Sequence, residues 1–261
     1  MLIDSHCHLD YLTGPERGMR IDEILDSAAE AGVGRMLTVS VDRDNLPKVL
    51  EHASRFDNVF ASVGIHPLSC ALPLVTEDEL LGWATQPKVV AIGETGLDYY
   101  YGTENAALQR ESFATHLRVA SRAGLPVIVH SRDARDDTLS LLREHASREH
   151  AGVMHCFTES AEMALAAIEL NFLISFSGII TFRNADALRE VVRRVPLECM
   201  LVETDSPYLA PVPHRGRTNQ PCHVVHVARA VADIKGVSLE RVEEITTANF
   251  ARLFPRSVTP Q

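Results

Sequence analysis

Two histidines one residue apart, His6 and His8, sit inside the first apolar run of the chain, Ile3-Asp4-Ser5-His6-Cys7-His8-Leu9. Side chains of a strand alternate between faces with a period of two, so both imidazoles are expected on one face. Neutral imidazole is the commonest protein ligand for a transition metal. A hydrogen-bonded pair of core histidines is the competing reading. Five further apolar runs lead into groups of the same kind: Gly64-Ile65-His66-Pro67, Ala91-Ile92-Gly93-Glu94, Val129-His130-Ser131-Arg132, Met154-His155 and Leu201-Val202-Glu203-Thr204-Asp205. Such a set can hold two divalent ions with a carboxylate between them. Left unpaired in a core, each group would cost roughly 1–3 kcal/mol. Glu203 and Asp205 are two apart and are expected to share a face. Such a pair can divide the labour, one ligating and one taking a proton. Glu203 reads equally well as a group that orients a ligand.

These groups need a scaffold that brings strand ends together. Short β-branched runs over 2–8, 35–40, 59–65, 89–94, 127–130, 152–155, 172–177 and 200–205 are expected strands. Helical patterns over 21–31, 46–56, 104–123, 134–147, 161–170 and 185–194 separate them, and two more follow, over 224–234 and 239–253. Repeated strand-then-helix order implies parallel strands with right-handed crossovers. Eight such units give a TIM-type (β/α)8 barrel of the α/β class, expected here as a single catalytic domain over 1–261. An open doubly wound sheet is the rival. No glycine-rich phosphate fingerprint follows the first strand, which counts against its dinucleotide-binding form. In a barrel, the C-terminal strand ends converge on the one face that carries the chemistry.

Composition narrows the class. The 261 residues are 46% hydrophobic and 23% charged, ordinary for a globular chain. No apolar run reaches membrane-spanning length and no signal peptide is evident, so no membrane partner is expected. Five cysteines without paired spacing argue against a disulfide framework and for a reduced cytoplasm. Cys7 and Cys156 each adjoin a candidate ligand histidine and are expected to pack on the opposite face. The net charge of −10 is wrong for a surface that grips long duplex DNA. It is compatible with a local positive site made by metal ions and a few arginines. Only three of the 25 basic residues are lysine. Arginine suits planar phosphate contacts, although a GC-rich genome would give the same bias.

Taken in order, Asp4-Ser5-His6-Cys7-His8-Leu9, Gly64-Ile65-His66-Pro67, Ile92-Gly93-Glu94-Thr95-Gly96-Leu97-Asp98-Tyr99 and Leu125-Pro126-Val127-Ile128-Val129-His130-Ser131-Arg132 resemble the TatD family of metal-dependent deoxyribonucleases, a branch of the amidohydrolase-like barrels. His155-Cys156-Phe157, Glu203-Thr204-Asp205-Ser206-Pro207-Tyr208-Leu209-Ala210-Pro211, Arg215-Gly216-Arg217-Thr218-Asn219 and Asn249-Phe250-Ala251-Arg252-Leu253-Phe254 complete the resemblance. It implies metal ligands at His6, His8, Glu94, His130, His155 and Asp205, with Glu94 bridging two ions. It also implies that Asp205 takes a proton from the nucleophilic water and that His66 and Arg132 face the substrate phosphate. Members hydrolyse DNA phosphodiesters, commonly from the 3′ end of single strands, with Mg2+, Mn2+ or Zn2+. The implied partner is a DNA end or short single strand; no obligate protein partner is evident.

Two other functions stay open on the sequence. The same metals and barrel serve hydrolysis of a small carbon ester, lactone or cyclic amide. A metal-bearing binding module is the third reading. Arg215 and Arg217, in the loop after the last strand, read either as phosphate contacts or as a cap over the barrel. Tyr99, Tyr100 and Tyr101 offer a base-stacking platform or loop packing. His52, His116, His145 and His150 are expected in solvent, and His223 and His226 as surface or structural groups; His214, in the loop after the last strand, is a candidate to line the cleft.

Overall fold

The computed structural model describes residues 1–258. The strands are β1 (Leu2–Cys7), β2 (Val33–Val39), β3 (Val59–Val63), β4 (Val89–Asp98), β5 (Val127–Arg132), β6 (Gly152–Met154), β7 (Phe172–Phe176) and β8 (Met200–Val202). The helices are α1 (Leu9–Thr13), α2 (Ile21–Glu30), α3 (Leu46–Arg55), α4 (Glu77–Ala84), α5 (Ala106–Ala123), α6 (Arg135–His145), α7 (Ala161–Glu169), α8 (Asp186–Arg194), α9 (Val224–Lys235) and α10 (Leu239–Leu253). All neighbouring strands pair in parallel, in chain order from β1 to β8. The seam between β8 and β1 is closed by backbone bonds from Asp205 N to His6 O, 3.0 Å, and from His8 N to Ser206 O, 2.8 Å. The fold is therefore the (β/α)8 barrel.

Local chemistry explains where the elements stop. The capping box of Thr76 and Glu79 opens α4, which the periodicity did not separate from its surroundings. Gly124 ends α5 at φ 63° in the left-handed region. Inward side chains such as Ile3, Leu37, Phe60, Val90, Ile128 and Val153 fill the barrel, and Phe250 of α10 with Phe254 just after it plugs its lower end. Asn249 fixes that plug, donating to the carbonyls of Leu197 (3.0 Å) and Met200 (2.8 Å) at the entry to β8. The Asn249–Phe254 segment is thus a structural closure, remote from the C-terminal face.

Strand lengths differ from the expected ones at the site. Both β4 and β5 run on, to Asp98 and Arg132, and pair there with each other. Their close approach demands glycine: a Cβ on Gly96 would lie 2.0 Å from the His130 carbonyl oxygen. Conversely, β6 stops at Met154 and β8 at Val202, so His155, Glu203 and Asp205 stand on the turns beyond. Two irregularities aim the site inward. Ile3 and Ser5 already face the barrel axis, so strict alternation would send His6 outward. The β1–β2 register shifts between Asp4 and Cys7, which turns His6 to the axis. A shift between Ile92 and Thr95 does the same for Glu94, since Ile92 packs in the outer layer.

Candidate metal centre

Glu94 lies at the centre of the C-terminal face, 3% exposed, with each carboxylate oxygen turned to a different group of imidazoles. Its Oε2 is 3.3 Å from His6 Nε2. Its Oε1 is 2.8 Å from His155 Nε2, 3.3 Å from His130 Nδ1 and 3.4 Å from His66 Nε2. Asp205 lies on the His6 side, with Oδ1 3.4 Å from His8 Nε2 and 3.7 Å from His6 Nε2. His6 and His155 stack with ring centroids 3.8 Å apart. Among the described residues, three sets of side chains have atoms close enough to share an ion: His6, His8 and Asp205; His66, Glu94 and His130; His6, His155 and Glu203.

Hydrogen bonding sorts these groups. His130 gives Nε2–H to Asp98 Oδ2 at 3.0 Å, which leaves the Nδ1 lone pair facing Glu94. His155 gives Nδ1–H to Glu203 Oε1 at 3.3 Å, and Nε2 is left for the centre. The same Glu203 oxygen accepts from Cys156 N at 2.7 Å. His66 has the opposite arrangement: its Nδ1 accepts from Leu68 N at 3.1 Å, so its Nε2 carries the proton and is a donor toward the cavity. Both ring nitrogens of His6 and the Nε2 of His155 are buried without a well-formed hydrogen bond among the described residues. The Nε2 atoms of His6 and His155 each face an oxygen of Glu94, at 3.3 and 2.8 Å. Nitrogen and carboxylate donors in that arrangement suit a divalent transition metal.

The electrostatics favour open lone pairs on some imidazoles and charge on the carboxylates. Burial pushes His66 down to about 3 and also lowers His6, so both are neutral near pH 7. Burial opposes ionisation of Glu94, but the surrounding imidazoles, His155 foremost, hold it well below the carboxylate range. Asp205 follows the same logic: burial raises it, and its contact with His8 outweighs burial and holds it below the usual carboxylate range.

Three positioning residues lay outside the sequence reading. Asp98 receives a hydrogen bond from Tyr101 N and is framed by Gln109, whose amide bonds both its N–H and its carbonyl. Asp4, with its carboxyl pushed up to about 8 by burial, clamps β1 to Thr204 through bonds of 2.8 and 2.6 Å. Asn219 donates to the carbonyls of Thr204 and Tyr208 and so ties down the loop after β8. A signal existed for each: all three lie in the segments that carry the TatD resemblance.

Other expectations change. His116 is fully buried, accepting from Ile65 N at 3.0 Å and so steadying the entry to His66. His52 is buried as well. Periodicity places both on the inner helix faces. Cys7 is buried as expected, but Cys156 borders the cavity, because its backbone turns at φ 42° after β6. His214 stacks on His223 at 4.0 Å and meets His226 Nε2 at 3.1 Å, a cluster made by the loop folding back on α9. Arg132 borders the central cavity of about 820 Å3, whereas Arg215 lies over Phe182 and neither it nor Arg217 lines that cavity.

The family model described as TatD related DNase matches residues 3–255. The chain belongs to that family. It is 49% identical over 253 residues to the uncharacterized metal-dependent hydrolase YcfH of Escherichia coli (strain K12), covering 97% of this chain and 95% of YcfH. Its fold matches the crystal structure of YJJV, a TatD homolog from Escherichia coli K12, with a TM-score of 0.87 and 28% identity, covering 99% and 98% of the two chains. It is also 30% identical to the 3′-5′ ssDNA/RNA exonuclease TatD of Shigella flexneri serotype 5b, over 93% of this chain and 96% of that one. This TatD-family chain is accordingly a metal-dependent hydrolase. No helix among its described residues is long and apolar enough to cross a membrane.

Asp98 gives a first prediction. Asp98→Asn keeps the shape but frees His130 to turn or change tautomer. Metal affinity is expected to fall about 10- to 100-fold, the usual cost of losing a group that orients a ligand. Titration calorimetry on metal-free protein measures it, and an unchanged affinity would remove Asp98 from this role.

Proposed function

We propose that this chain is a two-metal phosphodiesterase that removes nucleotides from the 3′ end of single-stranded DNA. The observation that carries it is Glu94, whose two oxygens face separate ligand groups as a bridging carboxylate must. His6, His8 and Asp205 would hold one ion, and His130 and His155 the other. Divalent ions so held would supply a water nucleophile at neutral pH and offset charge on the phosphoryl oxygen. Asp205 takes the proton of the attacking water. Glu203 keeps His155 aimed at the centre, which favours the orienting reading over direct catalysis. His66, neutral with its Nε2–H toward the cavity, donates to a non-bridging oxygen. Arg132 supplies positive charge; among the described residues no carboxylate pairs with its guanidinium. Arg215 and Arg217 serve the loop and the approach of the strand, outside the cavity. Action on single-stranded nucleic acid from the 3′ end is further supported by the name of the Shigella relative, a 3′-5′ ssDNA/RNA exonuclease.

Hydrolysis of a carbon ester, lactone or cyclic amide remains the alternative outcome. A lysine-bridged centre of that kind is disfavoured: Lys48 is in α3, Lys235 in α9, and Lys88 precedes β4 at the opposite end of the barrel.

The test is digestion of 3′- and 5′-labelled single-stranded oligonucleotides by metal-loaded protein, with and without EDTA. Chelator-sensitive loss of the 3′ label first is expected. Turnover of lactones or dihydropyrimidines without any cleavage of phosphodiesters would overturn the reading. Arg132→Ala is expected to keep the metal content and lower kcat/KM about 10- to 100-fold, the range for losing a hydrogen bond to a charged group. Loss of metal in that variant would assign Arg132 to the centre instead of the substrate.

A further inference from the structure

All five tyrosines of the chain lie in the segments that follow strands at the C-terminal face. Tyr99 is tied through its hydroxyl to Asp137 at 2.6 Å. The other four form two groups. Tyr11 and Tyr208 meet edge to face at 6.4 Å beside His8, where the β1 and β8 segments adjoin. Tyr100 and Tyr101 meet edge to face at 4.6 Å after β4, and the Arg132 guanidinium at the end of β5 lies over both rings, at 4.1 and 4.8 Å. In an eight-stranded barrel closed from β8 to β1, the β4–β5 boundary is diametrically opposite the β8–β1 boundary. Tyr11 and Tyr208 therefore stand on one wall of the cavity and Tyr101 on the opposite wall, with Glu94 lining it between them.

Their exposure needs a ligand. Tyr208, Tyr100 and Tyr101 are 49%, 56% and 62% exposed, on a face whose floor is fully packed. Large rings left open around a concave site mark a surface that stacks against something flat. Aromatic rings and guanidinium planes both stack on nucleobases, tolerating any sequence. Each wall pairs tyrosine with arginine, since Arg17 lies 6.0 Å from the Tyr208 ring. The cavity of about 820 Å3 is near the upper end of small-ligand sites, so there is room for more than one planar group.

Building on the phosphodiesterase reading, we propose that the cavity takes an unpaired dinucleotide unit. The scissile phosphate lies over Glu94 within reach of Arg132, one base stacks on Tyr208 backed by Tyr11, and the neighbouring base stacks on Tyr101. Consecutive bases must then point to opposite walls, away from each other. A duplex cannot supply that arrangement without unstacking, so the two platforms select single strands by shape rather than by charge.

The test uses thymidylyl dinucleotides in which the base on one side or the other is replaced by hydrogen. With full-length, metal-loaded protein, removing either base is expected to lower kcat/KM about 5- to 100-fold, the range for losing one stacked base. Tyr208→Leu should erase the dependence on one base only, and Tyr101→Leu the dependence on the other. Tyr208→Phe and Tyr101→Phe keep the ring and should preserve both. Binding gives a readout independent of turnover: 2-aminopurine placed at each position should be quenched by metal-free protein, and each leucine variant should lose quenching at one position. Equal turnover of intact and base-free dinucleotides, or one variant abolishing both dependences alike, overturns the two platforms and leaves the phosphodiesterase reading standing. No cleavage of any phosphodiester by metal-loaded enzyme brings down both.

Discussion

Glu94→Gln is expected to lower kcat/KM at least about a thousandfold and to leave the protein with one metal ion or none. Glutamine keeps the volume, so the barrel has no new void to absorb. It loses the charge that two ions would share, and an amide nitrogen replaces one of the two oxygens that face separate ligand groups. Metal-ion catalysis contributes several kcal/mol of transition-state stabilisation, and each 1.4 kcal/mol is tenfold in rate. Elemental analysis of the purified variant, followed by turnover on single-stranded DNA with excess metal, measures both effects. Full metal content with near-normal turnover would take Glu94 out of the centre.

Asp205→Asn is expected to separate proton transfer from metal binding. Asp205 contacts both His8 and His6, and its side chain keeps 15% exposure toward the cavity where the water must stand. Asparagine cannot accept the proton of that water. Losing a general base costs about a hundredfold to ten-thousandfold. The fall should appear in kcat with KM little changed, because the residue acts in the transition state more than in substrate binding. His130 and His155 stay in place, so the metal beside them should be retained while the one beside His6 and His8 weakens. Turnover within a few-fold of the unaltered protein would assign the proton to another group. If the two variants lose metal and rate alike, Asp205 serves only as a ligand.

The barrel was legible because its signal is local and repeated. Eight apolar runs alternate with helical periods, and each feature needs only a few neighbouring residues to be read. The convergence of His6, His66, Glu94, His130, His155 and Asp205 followed from parallel topology, which places every strand's C-terminal end on one face. Where elements were misjudged, the deciding contacts were distant in sequence. Continued pairing with each other carries β4 and β5 past their expected ends, so Asp98 and Arg132 rise beside His130. His116 looked solvated, yet it accepts the Ile65 N–H from 51 residues away.

The sequence by itself determined the order of strands, the kinds of side chain at their ends and the family. It also supplied the acidic charge balance, a net −10, that argues against an extended basic surface. Only the tertiary structure decided which way those side chains point. Strict alternation from Ile3 and Ile92 would have turned His6 and Glu94 away from the axis; register shifts against neighbouring strands turned them inward. Glu203 and Asp205, two residues apart, were expected to share a face. With β8 ending at Val202 and Asp205 turning at φ 54°, one reaches His155 and the other His8. Tyr11 and Tyr208 lie 197 positions apart, and only closure of β8 onto β1 brings their rings together. The reason is physical. Alternation and helical period are properties of a short stretch of backbone, whereas register, closure and the hydrogen bonds that fix a ring's tautomer depend on partners that the chain must fold to meet.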